Sequence, residues 1–242
     1  RQMLRELVRR LRGRLSESFD ARVCVDTAPV LERELAAAAG LGWIGRNTCL
    51  MNRELGSYLF LGEVVTTLDL VANRPSDDGC GRCQRCQKVC PTSAFIGPYQ
   101  LNAARCVAYL TIEHREVVDS TLLRGIGARV FGCDACQQVC PYNARAPLGS
   151  NSQVMQDRLP RSVNLLQLLK IDECELGALV RGTAGSRASV SMWRRNALIA
   201  LANSLGAAYS GWLTMGSVWP EDQLVRKTAL QLFDYTNLTT YV

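Results

Sequence analysis

The sequence predicts an α+β chain in three parts, on three observations. Residues 1–75 mix helical and strand patterns, residues 76–150 are crowded with Cys, Pro and Gly, and residues 151–242 carry helical apolar periodicity. The length of 242 residues, with 48% hydrophobic and 21% charged side chains, excludes disordered and collagen-like classes and allows one large or two modest domains. Net charge is +6, and among the 28 basic residues only Lys88, Lys170 and Lys227 are not arginine. Arginine favours bidentate phosphate contacts, but a biased genome gives the same excess, so charge alone names no nucleic-acid partner.

In the first part, Leu4, Leu7, Val8, Leu11 and Leu15 fall at helical spacing within residues 1–18. Val23-Cys24-Val25 reads as a short strand leading to Asp26. A helix is expected from near Pro29, which suits a first turn, to Gly40, which suits a helix end. A Gly-rich turn follows at 41–45, then strands over 57–62 and 63–70. The sequence opens on Arg1 rather than methionine, and an N-terminal portion is expected before it. In the last part, Arg195-Asn196-Ala197-Leu198 and Lys227-Thr228-Ala229-Leu230 lie 32 residues apart and resemble each other. Two such units suit a short HEAT-like helical-repeat domain or a small bundle. The uncharged stretch Asn196–Trp219 is broken by polar residues and glycines and reads as buried helix plus loop, not a membrane span.

The middle part carries the chemistry. Eleven cysteines in a long chain without a secretory leader point to metal binding in a reducing, cytoplasmic setting and away from a disulfide scaffold. Cys80-x2-Cys83-x2-Cys86-x3-Cys90-Pro91 has the spacing of a bacterial ferredoxin run, in which the fourth cysteine ligates the other cluster. A second run, Cys133-x2-Cys136-x3-Cys140-Pro141, repeats it at an offset of 50. Its first expected cysteine is replaced by Val130, and Cys106 is the natural substitute. The arithmetic then gives Cys80, Cys83, Cys86 and Cys140 for one 4Fe–4S cubane, and Cys90, Cys106, Cys133 and Cys136 for the other. Four-cysteine zinc sites are the alternative, since paired C-x2-C units also serve zinc, but zinc has no need of the x3-Cys-Pro ending twice. Cys24, Cys49 and Cys174 are expected to be buried thiols. Two cubanes make an electron conduit, and the segments on either side imply an acceptor beyond a free ferredoxin.

VDTAPVLERELAAAAGLGWIGRNTCLMNRELGSYLFLGEV (25–64), CGRCQRCQKVCPTSAF, RCVAYLTIEHR (105–115) and FGCDACQQVCPYN (131–143) resemble the epoxyqueuosine reductase family. The resemblance spans about residues 20–145. It implies a cobalamin-binding α/β domain, partial here, over 1–75, a ferredoxin-like two-cluster domain over 76–150, and a helical, tRNA-contacting domain over 151–242. It further implies reduction of the epoxide of epoxyqueuosine, at the tRNA wobble base, to queuosine, with two 4Fe–4S clusters and base-off cobalamin as cofactors. About a hundred residues of the cobalamin domain are expected before Arg1. Cobalt supplies the reducing centre, so the protein must supply a proton, and Asp26 is implied as that general acid, kept protonated by desolvation. The competing reading of Asp26 is a helix N-cap.

Corrin contacts are expected from 46–50 and 60–62, with Asn47, Leu50 and Leu61, and from the cluster loop at Cys133 and Asp134, beside Asp26 itself. There is no Asp-x-His-x-x-Gly motif, so histidine-ligated cobalt is not indicated. His114 is read as meeting tRNA or as a satisfied surface residue. Arg46 departs from the family's Lys, and Ala108 from its Ser. Arg158, Arg161, Lys170, Arg181, Arg187, Arg194 and Arg195 make 158–195 basic and suit phosphate contact, with Arg194 and Arg195 foremost. A solvated charged face is the alternative. The expected partners are tRNA and a flavodoxin- or ferredoxin-type electron donor, acting on a cytoplasmic monomer with no membrane contact. A reductive dehalogenase-like cobalamin enzyme and a stand-alone electron-transfer module are the other readings.

Overall fold

The computed structural model describes residues 1–147, 149, 160, 162–206, 208 and 222–238. They form a mixed, mainly helical fold with small sheets, parted into two compact units. The first comprises Arg1–Val89, Gly97–Gln100 and Ala135–Leu148, the second Cys90–Ile96, Leu101–Asp134 and Gly149–Val242. The segment 76–150, expected as one domain, is divided between them. Arg158, Arg161 and the end of the stretch Asn196–Trp219 lie outside the described residues.

In the first unit, α1 (Gln2–Arg12) carries Val8 on its buried face, and the helix is shorter than its apolar spacing suggests because Gly13 caps it and leaves Leu15 exposed. Strand β1 (Ala21–Cys24) pairs antiparallel with β4 (Glu63–Thr66), Cys24 opposite Glu63. Helix α2 is Glu32–Ala38, beginning after Leu31 without a side-chain cap, so the expected start at Pro29 is corrected by three residues. Gly40 does follow its end, at φ 75°, a left-handed geometry that glycine accepts without cost. The expected Gly-rich turn at 41–45 is instead half strand: β2 (Trp43–Ile44) pairs with β3 (Leu50–Met51). No strand forms over 57–62. That stretch keeps Tyr58 and Phe60 exposed, so its apolar alternation serves no sheet face. Short helices α3 (Arg85–Lys88), α6 (Ala135–Gln138) and α7 (Pro141–Arg145) complete this unit's cysteine region. A hairpin of β5 (Phe95–Gly97) and β6 (Gln100–Leu101) separates the two runs.

The second unit is helical: α4 (Val107–Ile112), α5 (Ser120–Ile126), α8 (Leu165–Lys170), α9 (Glu173–Val180), α10 (Val190–Leu205) and α11 (Gln223–Leu238). Their starts follow from capping chemistry. Asp119, Asn164 and Ser189 accept from backbone N–H groups of α5, α8 and α10, and Asp172 with Glu175 forms a reciprocal capping box on α9. Helix α10 is the centre. Met192, Trp193 and every residue from Arg195 to Ala202 are buried, which is the pattern of a helix enclosed on all sides. It packs on α8 and α11, and the buried side chains of α4, α5, α10 and α11 form one core. Among the described residues no helix is long and apolar enough to cross a membrane.

Candidate metal centre

Cys80, Cys83, Cys86 and Cys140 line one cavity of about 240 Å³ in the first unit, together with Asn47, Arg46, Tyr142 and others. These are the four thiols that the spacing assigns to one cubane. Local chemistry explains how they get there. A turn from Cys83 N–H to the Cys80 carbonyl, with Gly81 at φ 50°, folds the run back before α3 begins. Pro141 opens α7 and holds Cys140 extended at φ −72°, ψ 127°, as a residue before proline must be. The Cys-Pro ending thus turns the last thiol out of the helix and into the cavity.

The surrounding groups lock this geometry. Trp43, 5% exposed, donates its indole N–H to Cys80 Sγ at 3.4 Å and meets Tyr142 edge-on at 5.0 Å. The Tyr142 hydroxyl donates to the Gly79 carbonyl at 2.9 Å, and Asp78 accepts from Cys80 N–H at 2.9 Å. Burial works to raise the Asp78 carboxyl, but hydrogen bonds from Cys80 N–H and the Tyr99 hydroxyl, with the Arg46 charge, hold it below the usual carboxylate range. Arg46 donates to the Gly81 carbonyl at 2.6 Å, while its Nε is buried without a partner. Burial first, and then the neighbouring Cys80 and Cys83, push the Cys86 thiol up.

The donor set fits an iron–sulfur core. Thiolates gathered around one cavity repel one another and need a cationic centre to be held together, and Arg46, which also lines the cavity, has a buried Nε without a partner. Among the described residues no three His, Cys, Asp or Glu side chains converge closely enough for a single ion.

The second ligand set is placed differently. Cys90, Cys106 and Cys133 belong to the second unit and Cys136 to the first. Cys90 Sγ accepts from Ala94 N–H at 3.2 Å, Cys106 stands at the N-cap of α4, and Cys133 packs half-buried against the helical core. Of the unassigned thiols, Cys24 is buried, but Cys49 is half-buried and Cys174 exposed, which corrects the expectation for the last two.

Arg195 is a correction with a clear cause. Expected at the nucleic-acid face, it is fully buried, its NH1 donating to the His114 and Glu116 carbonyls (2.6 and 2.8 Å), NH2 to the Leu110 carbonyl (2.6 Å), and Nε and NH2 to Asn196 Oδ1. Burial lowers its pKa to about 10, so it stays charged at neutral pH. Arg194 is half-buried and donates twice to the Ile171 carbonyl, at 3.0 and 2.6 Å. His114 is half-buried with Nε2 3.2 Å from the Val117 carbonyl, and Arg187 pairs with Glu113 at 3.4 Å. Lys170 and Arg181 are exposed.

Asp26 is exposed in the turn after β1, at φ 44°, with its N–H bonded to Glu32 Oε1 at 2.6 Å. The residue before α2 is Leu31, so Asp26 is not that helix's cap. Of the expected corrin contacts, Asn47 is 5% exposed and lines the cysteine cavity. Leu50 is 4% exposed in the interior, and this corrects its assignment, because it has almost no surface to offer a ligand. Leu61 is half-buried beside fully displayed Phe60, and Asp134 is exposed. Trp43 and Tyr142 were not read from the sequence as site residues. Their signal was their place in Gly-Trp-Ile-Gly and directly after Cys-Pro.

A family model described as a 4Fe-4S double cluster binding domain matches residues 79–143. The chain is 42% identical over 207 residues to the epoxyqueuosine reductase of Xanthomonas campestris pv. campestris, covering 86% of this chain and 58% of that protein. Among solved structures it is similar to an epoxyqueuosine reductase bound to an epoxyqueuosine-modified tRNA-Tyr stem loop, at TM-score 0.84 and 30% identity, covering 99% of this chain and 64% of that one. It is equally similar to the Bacillus subtilis epoxyqueuosine reductase with its catalytic aspartate loop swung out of the active site, at TM-score 0.84 and 30% identity over 97% of this chain and 62% of that one. The chain spans 58% of the length of the Xanthomonas campestris relative and 46% of that of the Yersinia pestis epoxyqueuosine reductase.

Proposed function

We propose that this chain, a relative of the epoxyqueuosine reductases, reduces epoxyqueuosine in tRNA to queuosine. The observation that carries the reading is the cavity lined by Cys80, Cys83, Cys86 and Cys140, the set that ferredoxin spacing assigns to one cubane. On the same spacing, Cys90, Cys106, Cys133 and Cys136 hold the second. Two one-electron clusters supply the two electrons that, with two protons, convert an epoxide to an alkene and water.

Cobalamin, when bound, supplies the reducing cobalt. Phe60, 91% exposed, and Leu61 precede Glu63, which pairs with Cys24 two residues from Asp26, and they offer apolar surface to such a ring. Asp26 is the proton donor in this reading. Its left-handed backbone is costly for a non-glycine residue, and such strain concentrates at functional sites. Phosphate contact falls to exposed Lys170 and Arg181 in a cytoplasmic monomer fed by a flavodoxin- or ferredoxin-type donor. Anaerobic protein should carry about eight irons with cobalt, by the two-cubane stoichiometry, and turn over epoxyqueuosine tRNA with a strong reductant. Asp26→Asn suits the left-handed turn equally well and should keep fold and cofactors, while turnover falls by about 10² to 10⁴. Wild-type turnover in the loaded variant would remove Asp26 from the mechanism. Eight irons without cobalt or turnover would leave an electron-transfer module or an inactive fragment of the enzyme.

A further inference from the structure

We propose that the indole N–H of Trp43 raises the reduction potential of the iron–sulfur cluster that Cys80 ligates. The inference rests on the cluster assignment above, but not on the identity of the final electron acceptor. Cys80 Sγ accepts from Trp43 Nε1 at 3.4 Å, a hydrogen bond to the ligand atom itself. Adding an electron to a cluster increases the negative charge on its cysteinyl sulfurs, so an N–H aimed at one of them binds the reduced form more strongly. Hydrogen bonds to the sulfurs are one of the levers that set such potentials.

The donor is fixed before any electron arrives. Trp43 pairs with Met51 in the β2–β3 ladder. Its ring is wedged edge-on against Tyr142, with the Arg53 guanidinium 5.7 Å from the ring centre. Gly79 lies so close that a Cβ there would sit 2.5 Å from the indole, which explains a glycine immediately before the first ligand. The acceptor is equally constrained, because Asp78 holds the Cys80 N–H and Tyr142 holds the Gly79 carbonyl. Neither partner can turn away without breaking several of these contacts. The Gly-Trp-Ile-Gly segment thus delivers one N–H to one sulfur.

The test is an anaerobic potentiometric titration of the cluster-loaded protein, followed by electron paramagnetic resonance. The decisive variant replaces Trp43 with 3-benzothienylalanine, which keeps the bicyclic shape and substitutes sulfur for the N–H. Trp43→Phe is the genetically simple companion. At unchanged iron content, the potential of one cluster should fall, weakening its reduction up to roughly tenfold, as loss of one hydrogen bond allows, or about 59 mV for one electron. The other cluster's potential should not move. Unchanged potentials in the iron-replete benzothienyl variant would overturn the inference. So would iron loss in Trp43→Phe that the benzothienyl side chain rescues at the wild-type potential, because Trp43 would then be packing alone. Wild-type protein that binds no iron would instead overturn the cluster assignment.

Discussion

Arg46 in the first unit and Arg195 in the second are both drawn inward by the fold, and they end in opposite states. Arg195 is fully buried, and its Nε, NH1 and NH2 all donate, to three backbone carbonyls and to Asn196. Asn196 in turn donates to the Thr111 and Val130 carbonyls, and Thr111 Oγ1 accepts from Gly132 N–H. The pair therefore ties α10 to the helix that follows Cys106 and to the loop that precedes Cys133. Arg46 spends NH2 on Gly81 and leaves a buried Nε without a partner at the rim of the cysteine cavity. A buried donor left unpaired costs about 1–3 kcal/mol, and a fold retains such a defect where a ligand completes it. The saturated arginine is a mount, whereas Arg46 lines the cysteine cavity with a donor to spare.

The largest effect is expected from Arg195→Leu. It strips three carbonyls and Asn196 of their donor inside the core and should destabilise the second unit by about 3–5 kcal/mol, read by chemical denaturation. Any folded remainder should show the wild-type salt dependence of tRNA binding, because a side chain without surface releases no counterions. Replacing Lys170 and Arg181 together should lower that slope by roughly one to two units. A slope that falls on changing Arg195 and stays put on changing Lys170 and Arg181 would break the contrast.

Arg46→Leu should behave in the opposite way. Loss of the Gly81 contact removes about 1 kcal/mol of stability, but the cluster of Cys80, Cys83, Cys86 and Cys140 should lose iron on anaerobic gel filtration. Iron should be retained at the second cluster. Full retention at both would show that the unpaired Nε has no ligand to serve.

What the sequence disclosed follows from where its signals reside. Cysteine spacing is a local property, so the four thiols brought to one cavity were legible from an offset in the chain, including Cys140 far from the first run. Arg195 departs from its expected place because charge is visible in a sequence and enclosure is not. Only the packing of α8 and α11 on α10 decides that Arg195 has no surface, and the polar Asn196 beside it disguises a helix buried all round. The strand expected at 57–62 failed for the converse reason: Tyr58 and Phe60 alternate as a strand would, but they remain exposed. Asp26 was found by resemblance, and the structure removes the capping alternative by starting α2 after Leu31.

Glu63 carries the smallest expected effect and sharpens what an unsatisfied atom means. Its Oε2 is buried without a partner, like Arg46 Nε, but it lies on β4 opposite Cys24 and away from the residues lining the cysteine cavity. Burial, and then the charge of Glu32, push its carboxyl above the ordinary 4.5. The folded chain therefore binds more protons than the unfolded one between 4.5 and the raised value. In this window stability falls as pH rises, and the penalty is present in full above it. Glu63→Gln removes the charge and keeps the shape, so it should stabilise the protein at neutral pH by about 1 kcal/mol or less, with no gain below the ordinary glutamate value. Denaturation midpoints of both proteins at acid and neutral pH measure this directly, and iron content should not change. A loss of iron would make Glu63 part of the metal centre, and a loss of stability at neutral pH would show that its charge is compensated in the fold.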